Sequence, residues 1–136
     1  MHNIIVCGGR VGRGLSKTLV FQVLDILEPE LPAPFRIVQG TAAMVDTWAG
    51  EWALSRRHKM QPVPIDPRLD GHKDDAPFQR NARMQRDFPA SACIGFPGGG
   101  GTLNMMDICH EAGVPVADVE IAFDGTVEVK WWPTKQ

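Results

Sequence analysis

Apolar residues recur along this chain at two different periods, and the switches between them mark out its elements. Asn3 to Cys7 is a short continuous apolar run that stops at Gly8-Gly9 and reads as a strand. From Ser16 to Leu27 the apolar positions are Leu19, Val20, Val23, Leu24, Ile26 and Leu27, the spacing of a helix with one buried face. Ser16 suits its N-cap, since a hydroxyl can accept from a free first-turn N–H. The proline-rich stretch from Glu28 to Pro34 cannot continue that helix. Phe35 to Val38 is a second strand, ending at Gln39-Gly40. Thr41 to His58 then reads as a second helix with Ala43, Met44, Trp48, Trp52 and Ala53 inward. Met60 to Ile65 is a third strand, which Pro62 and Pro64 weaken and place at an edge or in an irregular position. After a polar loop, Asp66 to Ala76, a third helix covers Pro77 to Phe88 with proline at its first position. Ser91 to Phe96 is a fourth strand. Thr102 to Ala112 is a fourth helix closed by Gly113, and Val114-Pro115-Val116 begins a fifth strand.

Strands alternating with helices predict an α/β fold with a mainly parallel sheet and crossover connections. The tail departs from that alternation. Val119 to Phe123 and Thr126 to Trp132 alternate with period two around Asp124-Gly125, a hairpin signal. A C-terminal β-hairpin, residues 117–136, is therefore expected at the sheet edge of a single 1–136 domain. Adjacent Trp131 and Trp132 would point to opposite faces, one packed inward and the other exposed unless a second copy covers it. A homodimer through the hairpin or a helix face follows as an expectation.

The chain has 136 residues, enough for one domain with a sizeable core. A formal charge of -2 and a pI near 6.0 argue against a general nucleic-acid binder. No apolar stretch is long enough to span a bilayer, and the first residues lack the pattern of a signal peptide. Three cysteines, all inside apolar segments, fit reduced buried thiols and a cytoplasmic location rather than a disulfide framework.

The candidate chemistry gathers where the strands end, because ligands of parallel α/β sheets bind beyond the carboxyl ends of the strands. The most informative feature there is Pro97-Gly98-Gly99-Gly100-Gly101-Thr102, which joins the fourth strand to the fourth helix. Glycine costs conformational entropy, so a run of it implies close approach of something to the main chain. At a helix N-terminus that something is anionic, since free N–H groups and the helix dipole point at it. A phosphate-bearing ligand is the leading expectation, against a tight turn with no ligand.

Gly9 to Thr18 is glycine-rich but is not a P-loop, because Leu15 and Ser16 intervene before Lys17-Thr18. The dinucleotide fingerprint Gly-x-Gly-x-x-Gly is also absent. Arg10 and Arg13 could still grip a phosphate or carboxylate, or be solvated loop arginines. Arg80-Asn81 near the start of the third helix could reach the same crevice, or form a solvated face with Met84 in the core. Scattered His2, His58, His72 and His110 show no metal-ligand spacing, and no Gly-x-Ser-x-Gly elbow occurs. Neither a metal nor a cofactor is expected. The carboxylates near the crevice are Asp46, Glu51, Asp66 and Asp107, although Asp46 in a helix first turn equally suits the dipole.

Val6-Cys7-Gly8-Gly9-Arg10, Gly40 with Asp46, Arg80-Asn81 with Met84, and Phe96-Pro97-Gly98-Gly99-x-Gly101-Thr102 together resemble the SLOG superfamily of Rossmann-like domains. That superfamily includes the Lonely Guy phosphoribohydrolases and DNA-processing protein A. The chain looks most similar to the small stand-alone YspA/YAcAr-type domains of phages and prophages, over about residues 3 to 116. The resemblance implies a Rossmann-like three-layer sandwich. It also implies a nucleotide-like ligand across the strand ends with its phosphate on Pro97–Thr102. The implied contacts are Gly8, Gly9, Arg10, Gly40, Thr41, Asp46, Arg80, Asn81 and the residues from Pro97 through Gly98, Gly99, Gly100 and Gly101 to Thr102.

Two departures bear on activity. Lonely Guy enzymes place a glutamate implicated in glycosidic cleavage where this chain has Met105, which cannot transfer a proton. The stand-alone domains carry a His-Gly-Gly-Ala-Arg-Gly-Ala-Asp-like segment after the second strand. Here Gln39 to Asp46 keeps the first glycine and the aspartate but lacks the middle glycines and the arginine. The expectation is thus a nucleotide binder or sensor without turnover. The alternatives are a nucleotide N-glycosidase using Asp46, Glu51 or Asp66, and a protein-interaction module that has lost its ligand.

Overall fold

The computed structural model describes residues 1–9 and 14–134; Arg10 and Arg13 lie outside the described residues. The elements run β1 (His2–Cys7), α1 (Lys17–Leu27), a 3-10 turn (Glu28–Glu30), β2 (Phe35–Gln39), α2 (Val45–Ser55), β3 (Lys59–Pro62), α3 (Pro67–Asp70), α4 (Ala76–Asp87), β4 (Ala92–Gly95), α5 (Gly100–Glu111), β5 (Val116–Ile121) and β6 (Val127–Trp131). They form a six-stranded sheet in the order β3-β2-β1-β4-β5-β6. Every neighbouring pair is parallel except β5–β6. This is a Rossmann-like three-layer α/β sandwich whose last two strands make a C-terminal hairpin.

The period-two alternation of the central strands sends their side chains to two separate cores. Ile4, Val6, Ile37 and Ile94 face one side, against Val20 and Leu24 of α1 and Ala49 and Trp52 of α2. Ile5, Val38, Cys93 and Val116 face the other, against Met84 of α4 and Met105, Met106 and Cys109 of α5. The α1–α2 seam is fastened at its outer margin by Asp25. Its carboxylate accepts from Trp52 Nε1 at 2.9 Å and from Arg56 Nε and Nη2, each at 2.8 Å.

Several expectations are corrected by the structure. The second helix begins at Val45, not Thr41. Thr41 and Met44 adopt φ of 66° and 68°, a left-handed backbone that no helix accommodates. The loop is held by Thr41 N–H donating to Gln39 Oε1 at 2.5 Å and Ala42 N–H to Asp46 Oδ2 at 3.1 Å. Ala43 is consequently exposed and Met44 and Trp48 are only half-buried; Trp52 and Ala53 are in the core as expected, joined by Val45 and Ala49. The loop expected over Asp66–Ala76 contains the short helix α3, capped by Asp66, whose side chain accepts from Arg68 N–H at 3.0 Å. The fourth long helix begins at Gly100, two residues before Thr102.

The hairpin lies at the sheet edge as expected, and β5, parallel to β4, supplies its first strand. Its turn spans Phe123, Asp124 and Gly125, with Gly125 at φ 85°. Ala122 N–H bonds Thr126 O and Gly125 N–H bonds Ala122 O, both at 2.9 Å. A β-turn followed by a left-handed glycine is the usual three-residue solution, where Asp-Gly alone suggested two. The tryptophans separate as expected. Trp132 packs on the α5 core, its Nε1 donating to Asp118 Oδ2 at 3.0 Å and its ring edge-on to His110. Trp131 is 42% exposed on the opposite face.

Candidate functional site

The sheet order places β1 beside β4, with the chain leaving them to opposite sides, and the crevice between their carboxyl ends is where ligands of such sheets bind. Glycine permits the close packing there. Gly9 N–H donates to Pro97 O at 2.9 Å, and a β-carbon on Gly9 would meet Gly98 Cα at 2.9 Å. A β-carbon on Gly8 would strike the Val45 side chain at 2.7 Å, so α2 also starts hard against β1. None of Gly98 to Gly101 has a positive φ. Gly98 is confined by packing, because its β-carbon would fall 2.3 Å from Thr102 Oγ1. Gly99, Gly100 and Gly101 face open space. Gly99 is the N-cap of α5 with extended backbone and no side-chain cap, which leaves first-turn N–H groups aimed at that space.

Two cavities flank this helix start, and Gly99 and Thr102 line both. The smaller, about 210 Å³, lies over β1 and β2. Gly8, Gly9, Gly40, Asp46, Arg80 and Asn81 line it, together with Gly101 and Met105. The larger, about 990 Å³, opens on the β5 side. Its wall is mostly apolar, with Leu19, Phe96, Leu103, Met106, Val119 and Ile121, and it includes Asp118 and Glu120. The hairpin tip residue Phe123 stands fully exposed at its margin.

Arg80 is the basic side chain of the small cavity. Its Nη1 donates to Gly40 O and, at 3.2 Å, to Val63 O; its Nε donates to Asn81 Oδ1 at 3.1 Å. The guanidinium fills the space a side chain at Gly40 would need, since a β-carbon there would lie 2.7 Å from Cζ. Asn81 is buried, and its Nδ2 donates to Gly101 O and Asn104 Oδ1, each at 3.1 Å. One amide thus fixes both Arg80 and the first turn of α5, so Asn81 acts as a brace. Asp46 is buried in the second position of α2, where its carboxylate holds the Gly40–Met44 loop.

The remaining candidates are dispersed. Glu51 is exposed on α2 and paired with Lys17 Nζ at 2.5 Å; Asp66 caps α3. Neither lines either cavity among the described residues, and Thr41 is exposed on the loop beside them. Met105, 1% exposed, closes the floor of the small cavity. Cys7, Cys93 and Cys109 are free thiols of the adjoining core. Cys109 and Cys7 beside it, together with burial, push the Cys93 thiol well above its ordinary value, which makes it a packing group and not a nucleophile. Among the described residues no cluster of His, Cys, Asp and Glu could hold a metal ion. No helix among them is long and apolar enough to cross a membrane.

Of the expected contacts, Pro97, Gly98, Gly99, Gly100 and Thr102 line the large cavity, while its apolar side was not expected. That apolar side draws on α1, α5, β5 and the hairpin, and the alternation of Val119 and Ile121 is its one local signal.

No protein-family model matches this chain, and no curated protein matches it. Among solved structures, one similar chain is the UDP-GlcNAc 2-epimerase from Neisseria meningitidis bound to UDP-GlcNAc. Identity is 12% and the TM-score 0.48, over 89% of this chain and 32% of that one. This chain therefore spans about a third of that structure's length.

Proposed function

We propose that this protein binds a nucleotide or a nucleotide-derived phosphate at the carboxyl edge of its sheet, as a binder or sensor without turnover. The observation that carries the reading is the shared wall at the start of α5. Unencumbered Gly99, Gly100 and Gly101 expose helix N–H groups beside a cavity that also holds the Arg80 guanidinium. Two sources of positive potential thereby meet at one small volume. At about 210 Å³ that cavity is smaller than a typical small-molecule site of about 300–1,000 Å³. It suits a phosphate with part of a sugar. The rest of the ligand would cross the glycine run into the apolar cavity of about 990 Å³. Membership of the SLOG superfamily, and of its YspA/YAcAr-type branch, belongs to this proposal and is supported by the motif residues that line the two cavities.

The absence of turnover rests on Met105, a thioether on the cavity floor that offers no proton. A nucleotide N-glycosidase is the second reading, favoured by the buried Asp46 carboxylate in the same wall. Of the three candidate acid–base groups only Asp46 has that position; Glu51 and Asp66 do not.

A thermal-shift screen with nucleoside mono-, di- and triphosphates, ADP-ribose and cyclic nucleotides tests both readings. At least one should raise the melting temperature. The Gly99→Leu variant should melt like the parent without ligand and lose that shift. A panel without any shift would overturn both readings and leave a protein-interaction module. Where a ligand binds, chromatography for released base separates the two: intact nucleotide supports the sensor, and base whose release stops in Asp46→Asn supports the hydrolase.

A further inference from the structure

The strand β6 forms one margin of the sheet, and among the described residues nothing pairs with its outer edge. Within the hairpin, Glu120 stands opposite Glu128 and Asp118 opposite Lys130. Trp132 N–H bonds Val116 O at 2.8 Å and Ala122 N–H bonds Thr126 O at 2.9 Å. Hydrogen-bonded and non-bonded pairs alternate along an antiparallel ladder. The even-numbered residues of β6 therefore turn their backbone groups toward β5, and Val127, Val129 and Trp131 turn theirs outward. The side chains of these three share one sheet face with Ala117, Val119 and Ile121, while Glu128 and Lys130 occupy the other. Val127 is 36% and Trp131 42% exposed, so the unpaired edge adjoins an uncovered apolar face.

We infer that two copies of this chain pair antiparallel along β6, with the two-fold axis through Val129, to give one continuous sheet across a homodimer. Hydrogen-bond parity, charge and strand length select that register: an axis through Val127 or Trp131 keeps the parity but runs half the pairing past the end of β6. An axis between two residues would set outward-facing groups against inward-facing ones and make no ladder. An axis through Glu128 would set that carboxylate against its own copy, and an axis through Lys130 would do the same with two ammonium groups. With the axis at Val129, Glu128 faces the partner's Lys130 and Lys130 faces the partner's Glu128. On the other face Val127 meets the partner's Trp131, and Val129 exchanges both backbone bonds with its own copy.

The hairpin alone leaves a deficit that this pairing corrects. Glu120 and Glu128 are like charges directly opposite each other, which destabilises a ladder. Lys130, 3.3 Å from Glu120 Oε2, is the lysine serving both. The dimer brings a second lysine beside Glu128. Charged edge residues ordinarily repel a foreign strand; here they reject the registers centred on Glu128 and Lys130 and favour the one centred on Val129.

Sedimentation velocity of the full chain over a concentration series tests the inference. The parent should dimerise reversibly, more weakly at high salt because the pairs are exposed. Glu128→Lys is the decisive variant, because its effects on hairpin and dimer have opposite signs. Inside the hairpin it replaces a repulsion with an attraction to Glu120, so at concentrations where both proteins are monomeric its melting temperature should not fall below the parent's. Between copies it sets lysine against lysine twice, and the dimer should weaken about tenfold or more. Combining Glu128→Lys with Lys130→Glu reverses both partners and should restore the dimer. A parent that stays monomeric, a Glu128→Lys dimer as tight as the parent's, or a double variant as weak as the single one would each overturn the inference.

Discussion

A β-carbon added at Gly98 would lie 2.3 Å from Thr102 Oγ1 and 2.8 Å from Gly9 N, whereas one added at Gly101 would meet nothing within 4 Å. Neighbours in one glycine run are thus glycine for different reasons. Gly98→Ala overpacks the joint between β1 and α5, and should lower stability by about 1–3 kcal/mol. Gly101→Ala should raise it by roughly 0.5–1 kcal/mol, because alanine loses less backbone entropy in a helix. On that expectation folding stability does not account for glycine at 101, whereas the proposed ligand site, which needs open access to the α5 N–H groups, does. Urea melts of the two variants should move in opposite directions. A destabilised Gly101→Ala would mean that packing, not access, requires that glycine.

Among the elements, α3 is the least stable by itself and the most dependent on one contact. It has four residues, too few to hold a helix without tertiary help. Asp70 supplies that help. Its buried carboxylate accepts from Arg83 Nε at 2.9 Å and Nη2 at 2.8 Å, and from Asp66 N–H at 2.8 Å. The Arg83 guanidinium holds its pKa at about 2, below the ordinary 3.8. Between those values the unfolded chain takes up a proton that the folded chain refuses. The contribution is therefore complete above about pH 4 and lost as pH falls toward 2. A shift of that size corresponds to about 2 kcal/mol. Asp70→Asn should lower stability at neutral pH by about that amount, and the difference from the parent should vanish near pH 2. A constant difference across denaturation curves at stepped pH would show that the ion pair is not its source.

The same element shows what the sequence could and could not disclose. Asp66 as N-cap, Pro67 in the first turn and Gly71 just past the end are ordinary start and stop signals, which the polarity of the surrounding loop masks. The start of α2 was not legible. Thr41-Ala42-Ala43-Met44 has helix-compatible composition, but Thr41 and Met44 take left-handed backbone, and the loop is held by bonds that Gln39 Oε1 and Asp46 Oδ2 accept and that Thr47 Oγ1 donates to Ala42 O. The parallel strands and the glycine joint were readable because period and composition are local. Arg80 against Gly40, and the apolar cavity along β5, arise from residues distant in sequence, which no local pattern encodes.

At the scale of the whole molecule, the two cores are the two faces of one sheet, and the candidate site sits where α2, α4 and α5 meet its upper edge. Gly8 lies against Val45 of the first core, and Asn81 and Met105 link the site to the second. A ligand held by the α5 N-terminus and Arg80 would therefore stabilise both cores together, and not one helix locally. The expected signature is a single unfolding transition that moves without changing shape. At a ligand concentration about a hundred times the dissociation constant, the gain is about 2.7 kcal/mol. For a domain of this size that raises the melting temperature by roughly 10 °C. The urea midpoint should rise while its slope stays constant, because the surface exposed on unfolding is the same. Gly99→Leu should unfold like the free parent with or without ligand. A transition that splits in two on ligand addition would place the stabilisation in one layer, and would separate the glycine run from the Arg80 side of the site.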